Sequence, residues 1–386
     1  MNILVIGNGF DKAHNLPTSY NDFLDYIMIV NNCSEQDIHR KDQFYIQVKD
    51  FILENHDILD EFKKLVYNNL WIKYFLERRK YLVKKEKINW IDFEGEISYI
   101  IQILDSLMKE IKKSHSNSLN DTEIVNFLPT EKDKCYNLFI KDFFDDKLDF
   151  YDEITEGYDH SLKSKNLLRL KKKTLEDLNR LTRALEIYLC TFIEKQEIRN
   201  KLSDIRTLEI DRVLSFNYTS TYDKVYADKN KIEFDYIHGK ADIKHDQFNC
   251  PIILGIDEYN DENEKDENIY FVEFKKFYQR ILKGSGCKYK KWLEPKYDHV
   301  SNMKDINEVY FFGHSLDVTD KDIISEIILS ENMYTTIFYR NQNDLSSKII
   351  NLVKVIGQDK LIEMTSEPNR QIWFQKITAN DEKVSD

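Results

Sequence analysis

The sequence predicts an α/β protein in which one parallel sheet carries a large α-helical insertion. Two observations lead to this prediction. Apolar residues recur at three- and four-residue steps through a long central block, and short apolar runs stand before and after that block. The first spacing is typical of amphipathic helices and the second of buried strands, so strands from both ends of the chain are expected to share one sheet.

The first element is predicted to be a strand, because residues 3–6 form an unbroken apolar run. Gly7 and Gly9 follow it, and their lack of a Cβ allows a tight turn and a close approach of a ligand. Amides in such a turn attract anions, which favours a phosphate or nucleotide. The dinucleotide fingerprint needs a small residue where Lys12 stands, so a tight turn without a ligand is the alternative. A helix is expected from about Thr18, which can cap it.

The central block, from Ser34 to about Leu202, has helical spacing almost throughout. After Asp211 the short runs RVLSF, EFDYI, PIILGI, EVYFF and TTIFY resemble strands, and helical patterns separate several of them. This alternation predicts a parallel sheet. The first strand cannot bury both faces alone, so we expect a Rossmann-like domain made of residues 1–33 and 205–386. Residues 34–204 are the predicted helical insertion, and the tail TANDEKVSD is expected to fray.

Composition narrows the classes of function. The net charge of −12 disfavours broad binding to nucleic acid. No apolar run is long enough to span a membrane and no signal peptide is recognised, so a cytoplasmic protein without membrane partners is expected. The cysteines have no CxxC spacing, which argues against structural zinc and suits a reducing compartment. They are Cys33, Cys135, Cys190, Cys250 and Cys287.

Glycines and polar residues follow four of the predicted strands at their carboxyl ends. Ligands bind beyond these ends in open parallel sheets, so the coincidence favours a nucleotide site. Each motif also has an ordinary interpretation: Asn217 as a helix cap, His238 as a turn residue, and Asp317 or Thr319 as an N-cap. The residues in order are Gly7, Asn8, Gly9, Phe10 and Asp11; Asn217, Tyr218 and Thr219; His238 and Gly239; and Gly313, His314, Ser315, Leu316 and Asp317.

The opening VIGNGFDKAHNLPTSYNDF resembles that of the bacterial abortive-infection AbiH family of anti-phage proteins. NWIDFEGEI, SFNYTSTYD, IHGKAD, FKKFYQRI and FFGHSLDVTD fit the family in the same order, and the resemblance covers most of the chain. It implies a cytoplasmic defence protein that acts during phage infection. A phage-derived trigger or a second defence protein is an expected partner, and a homo-oligomer is left open.

The four strand-end motifs are more distantly similar to the sirtuin-like nucleotide fold. This similarity implies NAD as the substrate and no metal, with Asn217 and His238 as catalytic residues. Thr219 stands where sirtuin-like enzymes often carry an acid, which leaves the contact to the nicotinamide amide open. The four zinc cysteines of protein deacylases are missing, so the similarity points to NAD+ hydrolysis. The implied NAD-binding residues are Gly7, Asn8, Gly9, Phe10, Asp11, Thr18, Gly313, His314, Ser315 and Asp317.

The motifs are consistent with three functions. The first is an NAD+ glycohydrolase, in which Asn217 and His238 position ribose and water and Asp11 orients the ribose or the amide. The second is a nucleotide-sensing defence module without turnover. The third is a metal-dependent nuclease that uses Asp92, Glu94 and Glu96. Those three acids also have an ordinary interpretation, as a solvated helix face or as a helix lid.

Overall fold

The computed structural model describes residues 1–33, 40, 42–114, 160–198, 201–227, 232–256, 270–294 and 307–378. Six strands form one parallel sheet in the order β3-β2-β1-β4-β5-β6. The order is that of a Rossmann-like sheet, as predicted. The strands are β1 (Asn2–Ile6), β2 (Arg212–Ser215), β3 (Glu233–Tyr236), β4 (Asn307–Phe312), β5 (Met333–Tyr339) and β6 (Ile372–Lys376).

The amino-terminal strand lies inside the sheet, between β2 and β4, which confirms that it joins strands from the carboxyl-terminal half. Its residues alternate between two apolar clusters. Ile3 and Val5 belong to the cluster on one face of the sheet, and Leu4 and Ile6 belong to the cluster on the other. Burial on both faces explains why this strand reads as a continuous apolar run.

Two strand predictions need correction. The run PIILGI, Pro251–Ile256, is buried but is not part of the sheet, and only Ile256 makes a strand-like bridge, to Lys275. Apolarity signalled burial there, and burial does not require a place in the sheet. Conversely, no strand is predicted at β6, because its apolar run has only three residues and its end, Gln375 and Lys376, is exposed.

Helices separate the strands along the chain. In chain order they are α1 (Asn8–Ala13), α2 (Tyr20–Val30), α3 (Gln43–Glu54), α4 (His56–Val66), α5 (Leu70–Tyr81), α6 (Phe93–Ser114), α7 (His160–Tyr188), α8 (Ser203–Arg206), α9 (Thr221–Tyr226), α10 (Lys276–Lys283), α11 (Tyr289–Leu293), α12 (Lys321–Ile328), α13 (Gln342–Ile356) and α14 (Gln358–Thr365). Wider π-helical turns follow α5 and α7. The expected helix near Thr18 begins at Tyr20, and the tail TANDEKVSD lies, apart from its first residue, outside the described residues.

The chain forms two compact units. Unit 1 comprises residues 1–19, 188–243 and 283–386, and it contains the whole sheet. Unit 2 comprises residues 20–187 and 244–282 and is mainly helical. This division differs from the predicted boundaries in three segments: residues 20–33 and 244–282 belong to unit 2, and residues 188–204 belong to unit 1.

The core of unit 2 combines stacked aromatic rings with buried ion pairs. Phe93 stacks on Phe75, with ring centroids 3.9 Å apart. Asp25 of α2 pairs with Arg79 of α5 at 2.9 Å, and both side chains are almost completely buried. Such a pair requires both charges, because either one alone in the interior would be strongly destabilising.

Candidate functional site

The register of unit 1 brings the four predicted motifs to one level at the carboxyl edge of the sheet. Ile6 of β1 pairs with Ser215 of β2 on one side and with Phe312 of β4 on the other, and Ser215 pairs with Tyr236 of β3. The residues that follow these positions therefore lie side by side. Strand order reverses between β1 and β4, which is where open α/β sheets bind ligands.

The glycines after β1 and β4 allow two turns to pack backbone against backbone. A Cβ on Gly9 would lie 2.7 Å from the Cα of Gly313, and one on Gly7 would lie 2.8 Å from the Cα of His314. Both neighbours are main-chain atoms, which no rotamer change can move aside. Gly313 also has a φ of +68°, a conformation that favours glycine. Contact between the two turns thus explains all three glycines.

The amides of the first turn are already used within the protein. Gly7 N donates to Phe312 O at 3.3 Å, Gly9 N to Gly313 O at 2.8 Å, and Phe10 N to Gly7 O at 2.8 Å. An anion could accept from these amides only if those bonds broke. The anion site expected at the Gly7 and Gly9 amides is therefore not formed in this conformation. The chemistry available at this edge comes from side chains.

Asn217 joins the end of β2 to the first turn. Its side-chain amide donates to Gly7 O at 3.0 Å, and only 5% of the residue is exposed. The alternative role as a helix cap is wrong, because the next helix, α9, begins at Thr221 and is preceded by Ser220. The amide of Asn217 is thus held at the carboxyl edge of the sheet.

Asp11 lies in α1 and is 1% exposed. Its Oδ2 accepts a hydrogen bond from the hydroxyl of Thr219 at 2.7 Å, while its Oδ1 receives no hydrogen bond from the described residues. Burial raises the pKa of Asp11 to about 6, although the side chains of Thr219, Thr221 and Asn217 lower it in part. Asp11 therefore gains or loses a proton near neutral pH, as acid–base groups in active sites often do.

Two buried histidines share one carboxylate. Nε2 of His238, which follows β3, lies 3.1 Å from Oδ1 of Asp320. Nε2 of His314, which follows β4, lies 3.5 Å from Oδ2 of the same side chain. The ring of Phe216 packs edge-on against both imidazoles, with centroid distances of 5.5 and 4.3 Å. His238 is thus part of a polar network rather than an isolated turn residue.

The turn after β4 is held from α13. Lys348 is buried and donates to the carbonyl of His314, and Asn351 donates to the carbonyl of Ser315 at 3.0 Å. Burial lowers the pKa of the Lys348 ammonium. Leu316 has a φ of +58°, and its backbone N–H donates to Nδ1 of His314 at 2.9 Å. A bulky residue in this conformation is strained, and such strain is often found at functional sites.

The remaining predicted residues have more local roles. The hydroxyl of Thr18 donates to Oδ1 of exposed Asn8 at 2.6 Å. Phe10 is fully buried in the core, against Phe312 and the aromatic rings of α9, so its side chain packs the fold. Asp317 accepts from the backbone N–H of Thr319, which confirms its alternative interpretation as an N-cap.

The three acids considered for a nuclease lie in unit 2 and have polar partners there. Glu94 pairs with buried Lys276 at 2.7 Å, and Glu96 accepts from Arg78 at 2.8 Å and from Tyr74 at 2.5 Å. Asp92 accepts from the backbone N–H of Glu94 at 3.1 Å. These carboxylates are therefore part of an ion-pair and hydrogen-bond network, and not a solvated helix face.

Sequence reasoning missed Asp320 and Lys348 as parts of the site. Asp320 stands six residues after His314, at the end of the FFGHSLDVTD stretch, but a short acidic turn gives no sign of which histidines it will meet. Lys348 is one of many lysines on helical patterns. Its burial depends on α13 packing against β5 and the turn that follows β4, which sequence spacing does not specify.

The comparison with protein families decides to which family these motifs belong. The model of the bacteriophage abortive infection AbiH family matches residues 3–340. The chain belongs to the AbiH family. This AbiH protein therefore has a role in abortive infection, the defence in which infected cells stop phage propagation. Searches of curated proteins and of solved structures gave no match. Among the described residues of this AbiH protein, no helix is both long and apolar enough to cross a membrane.

Proposed function

We propose that this AbiH protein acts in abortive infection by hydrolysing NAD+ to nicotinamide and ADP-ribose at the carboxyl edge of the sheet in unit 1. The observation that carries the proposal is the presence of buried Asn217, His238 and His314, together with largely buried Asp320, at that edge. Asn217 bonds to the Gly7 turn, which packs on His314, and Asp320 joins His314 to His238. Polar groups of this kind are expensive to bury and are commonly kept for chemistry.

Asp11 supports the proposal as a further polar group close to Asn217. Its carboxylate meets the hydroxyl of Thr219, the position at which the sirtuin-like pattern often has an acid. Asp11 therefore supplies a carboxylate from a different strand end to the same neighbourhood. Its buried Oδ1 is an acceptor for a donor on the substrate, such as a ribose hydroxyl or the nicotinamide amide.

The proposed reaction needs positioning and one proton acceptor. The bond between C1′ of the ribose and the pyridinium nitrogen breaks, and its electron pair leaves with nicotinamide, which becomes neutral and needs no acid. C1′ then resembles an oxocarbenium ion, as in other glycosyl transfers. Water adds to C1′, its proton passes to His238, and ADP-ribose results. Asn217 holds the ribose or the water through its amide.

The direct test is incubation of the purified protein with NAD+, with nicotinamide and ADP-ribose separated by chromatography. Release of both products in equal amounts is expected, and it should persist in the presence of a chelator. Asn217→Ala and His238→Ala should each reduce the release by roughly a hundredfold to ten-thousandfold, the usual contribution of a single acid–base group. His56→Ala is the matched control, because His56 is exposed in unit 2.

The alternatives give different outcomes in the same experiment. Binding of NAD+ without product release, for wild type and variants alike, would favour the nucleotide sensor. Chelator-sensitive cleavage of nucleic acid, abolished by Glu94→Gln but not by His238→Ala, would favour the nuclease. Melting temperatures of all variants serve as the folding control.

A further inference from the structure

We infer that Asp320 is a positioning residue that holds His238 and His314 on its two carboxylate oxygens and thereby leaves Nδ1 of His238 as the atom that accepts a proton. The role of His238 as a base rests on the proposed function. The protonation pattern itself follows from the hydrogen bonds and can be measured without any substrate.

The protonation of His314 is set by the strained turn in which it lies. The backbone N–H of Leu316 points at Nδ1 of His314 at 2.9 Å, and an amide N–H can only donate. Nδ1 is therefore the acceptor, and the neutral ring carries its proton on Nε2. That proton faces Oδ2 of Asp320, 3.5 Å away.

The protonation of His238 follows from the same carboxylate. An ionised carboxylate accepts hydrogen bonds and donates none, so Nε2 of His238 must donate to Oδ1 of Asp320 across 3.1 Å. The neutral ring then has its lone pair on Nδ1. This is the arrangement by which an aspartate orients a catalytic histidine and stabilises the imidazolium that forms when it takes a proton.

Asp320 and a small number of uncharged groups make the described contacts to these rings. Asp320 meets both imidazoles, and its side chain is 11% exposed. Phe216 and Tyr218, which follow β2, present uncharged rings to His238. From α13, the ammonium of Lys348 is directed to the carbonyl of His314 rather than to either ring. Asp320 is therefore the charged group with the closest described contacts to the two histidines.

The substitution Asp320→Asn should change which nitrogen of His238 carries the proton. The asparagine side chain has one acceptor oxygen and one NH2 group, so it can satisfy one Nε2–H but not two. His314 keeps its Nε2 proton because Leu316 still donates to its Nδ1, and the amide oxygen must face it. The NH2 group then faces His238, whose proton moves to Nδ1.

The test is nitrogen NMR of the full-length protein labelled with ¹⁵N-histidine, at a pH at which both rings are neutral. The chain has nine histidines, so the signals can be assigned by single His→Ala variants. In the wild type, His238 and His314 should both carry the proton on Nε2. In Asp320→Asn, His238 should switch to the Nδ1-protonated form, its pKa should fall, and His314 should not switch. Asp322→Asn is the control, because Asp322 is an exposed acid two residues away.

A wild-type His238 that is protonated on Nδ1, or one whose protonation is the same in Asp320→Asn, would overturn the inference. Neither result depends on NAD+ hydrolysis, so this failure is distinguishable from a failure of the proposed function. If nicotinamide release is also found, Asp320→Asn should lower it by about a hundredfold or more, since the proton-accepting atom is then blocked. Release at the wild-type rate from a switched His238 would remove Nδ1 from the mechanism.

Discussion

Among single residues, the buried carboxyl group of Asp11 has the clearest effect on stability, because an ionised carboxylate is more stable in water. Its pKa of about 6 lies above the ordinary value of 3.8, so between these pH values the folded protein binds more protons than the unfolded chain. The free energy of unfolding therefore falls as the pH rises from about 4 to about 6, and the full penalty persists above that range. The shift corresponds to a penalty of about 3 kcal/mol.

Asp11→Asn should remove this penalty. We expect the variant to be more stable than the wild type at pH 8, by up to about 3 kcal/mol, and equally stable near pH 4, where Asp11 is protonated when folded. Urea unfolding at several pH values measures this difference. A stability difference that is constant with pH would show that the pKa of Asp11 is the same in the folded and unfolded states.

Residue types and spacing predict that several of the candidate residues lie at one edge of the sheet. Asn217 and His238 each stand two residues after a strand end, and a parallel register brings such positions together. Asp320 was not identified, because its contacts depend on the path of the strained turn around Leu316. The glycine pattern around Gly7 and Gly9 also does not say whether a ligand or another turn approaches these amides.

At the scale of the element, the turns after β1 and β4 depend on their mutual contact. In Gly313→Ala, the new Cβ would overlap the backbone of Gly9 and Phe10, and the φ of +68° would disfavour alanine. We expect the free energy of unfolding to fall by about 1–3 kcal/mol, as measured by urea unfolding. Gly284→Ala is the matched control: Gly284 has a φ of +63° and nothing within 4 Å of the added Cβ. Equal losses in the two variants would mean that only the φ matters.

The buried ion pair between α2 and α5 gives a prediction for unit 2. Arg79→Leu leaves Asp25 charged in the interior, and should cost about 3–5 kcal/mol of stability. Replacement of both residues by leucine removes both charges and should recover much of this loss. A double-mutant cycle by urea unfolding compares the variants. Additive losses would show that the two side chains do not interact.

The errors in element prediction have a common cause. PIILGI and β1 are both short apolar runs, yet only β1 has neighbours on both sides in the sheet. An apolar run predicts burial, but it does not predict which part of the chain packs against it, because that part is distant in sequence. The edge strand β6 shows the opposite case, because exposure of Gln375 and Lys376 hides its pairing with β5.

At the scale of the whole molecule, a single strand at the amino terminus completes a sheet whose other strands begin more than two hundred residues later. The family motifs are shared between the two units: FFGHSLDVTD lies in unit 1, whereas NWIDFEGEI and FKKFYQRI lie in unit 2. The polar residues of the candidate site, Asn217, His238, His314 and Asp320, all belong to unit 1. Their replacement should therefore affect the proposed chemistry without dismantling the helical unit.

The proposed hydrolysis of NAD+ during infection is tested most directly by the NAD+ content of phage-infected cells that express this AbiH protein. Wild-type cells should lose NAD+ during infection, with a matching rise in nicotinamide and ADP-ribose, and should release few phage. Cells with Asn217→Ala or His238→Ala should keep their NAD+ and lose protection, although the variants accumulate and melt like the wild type, whereas His56→Ala should behave as wild type. Wild-type cells that block phage while their NAD+ stays at the uninfected level would contradict the account.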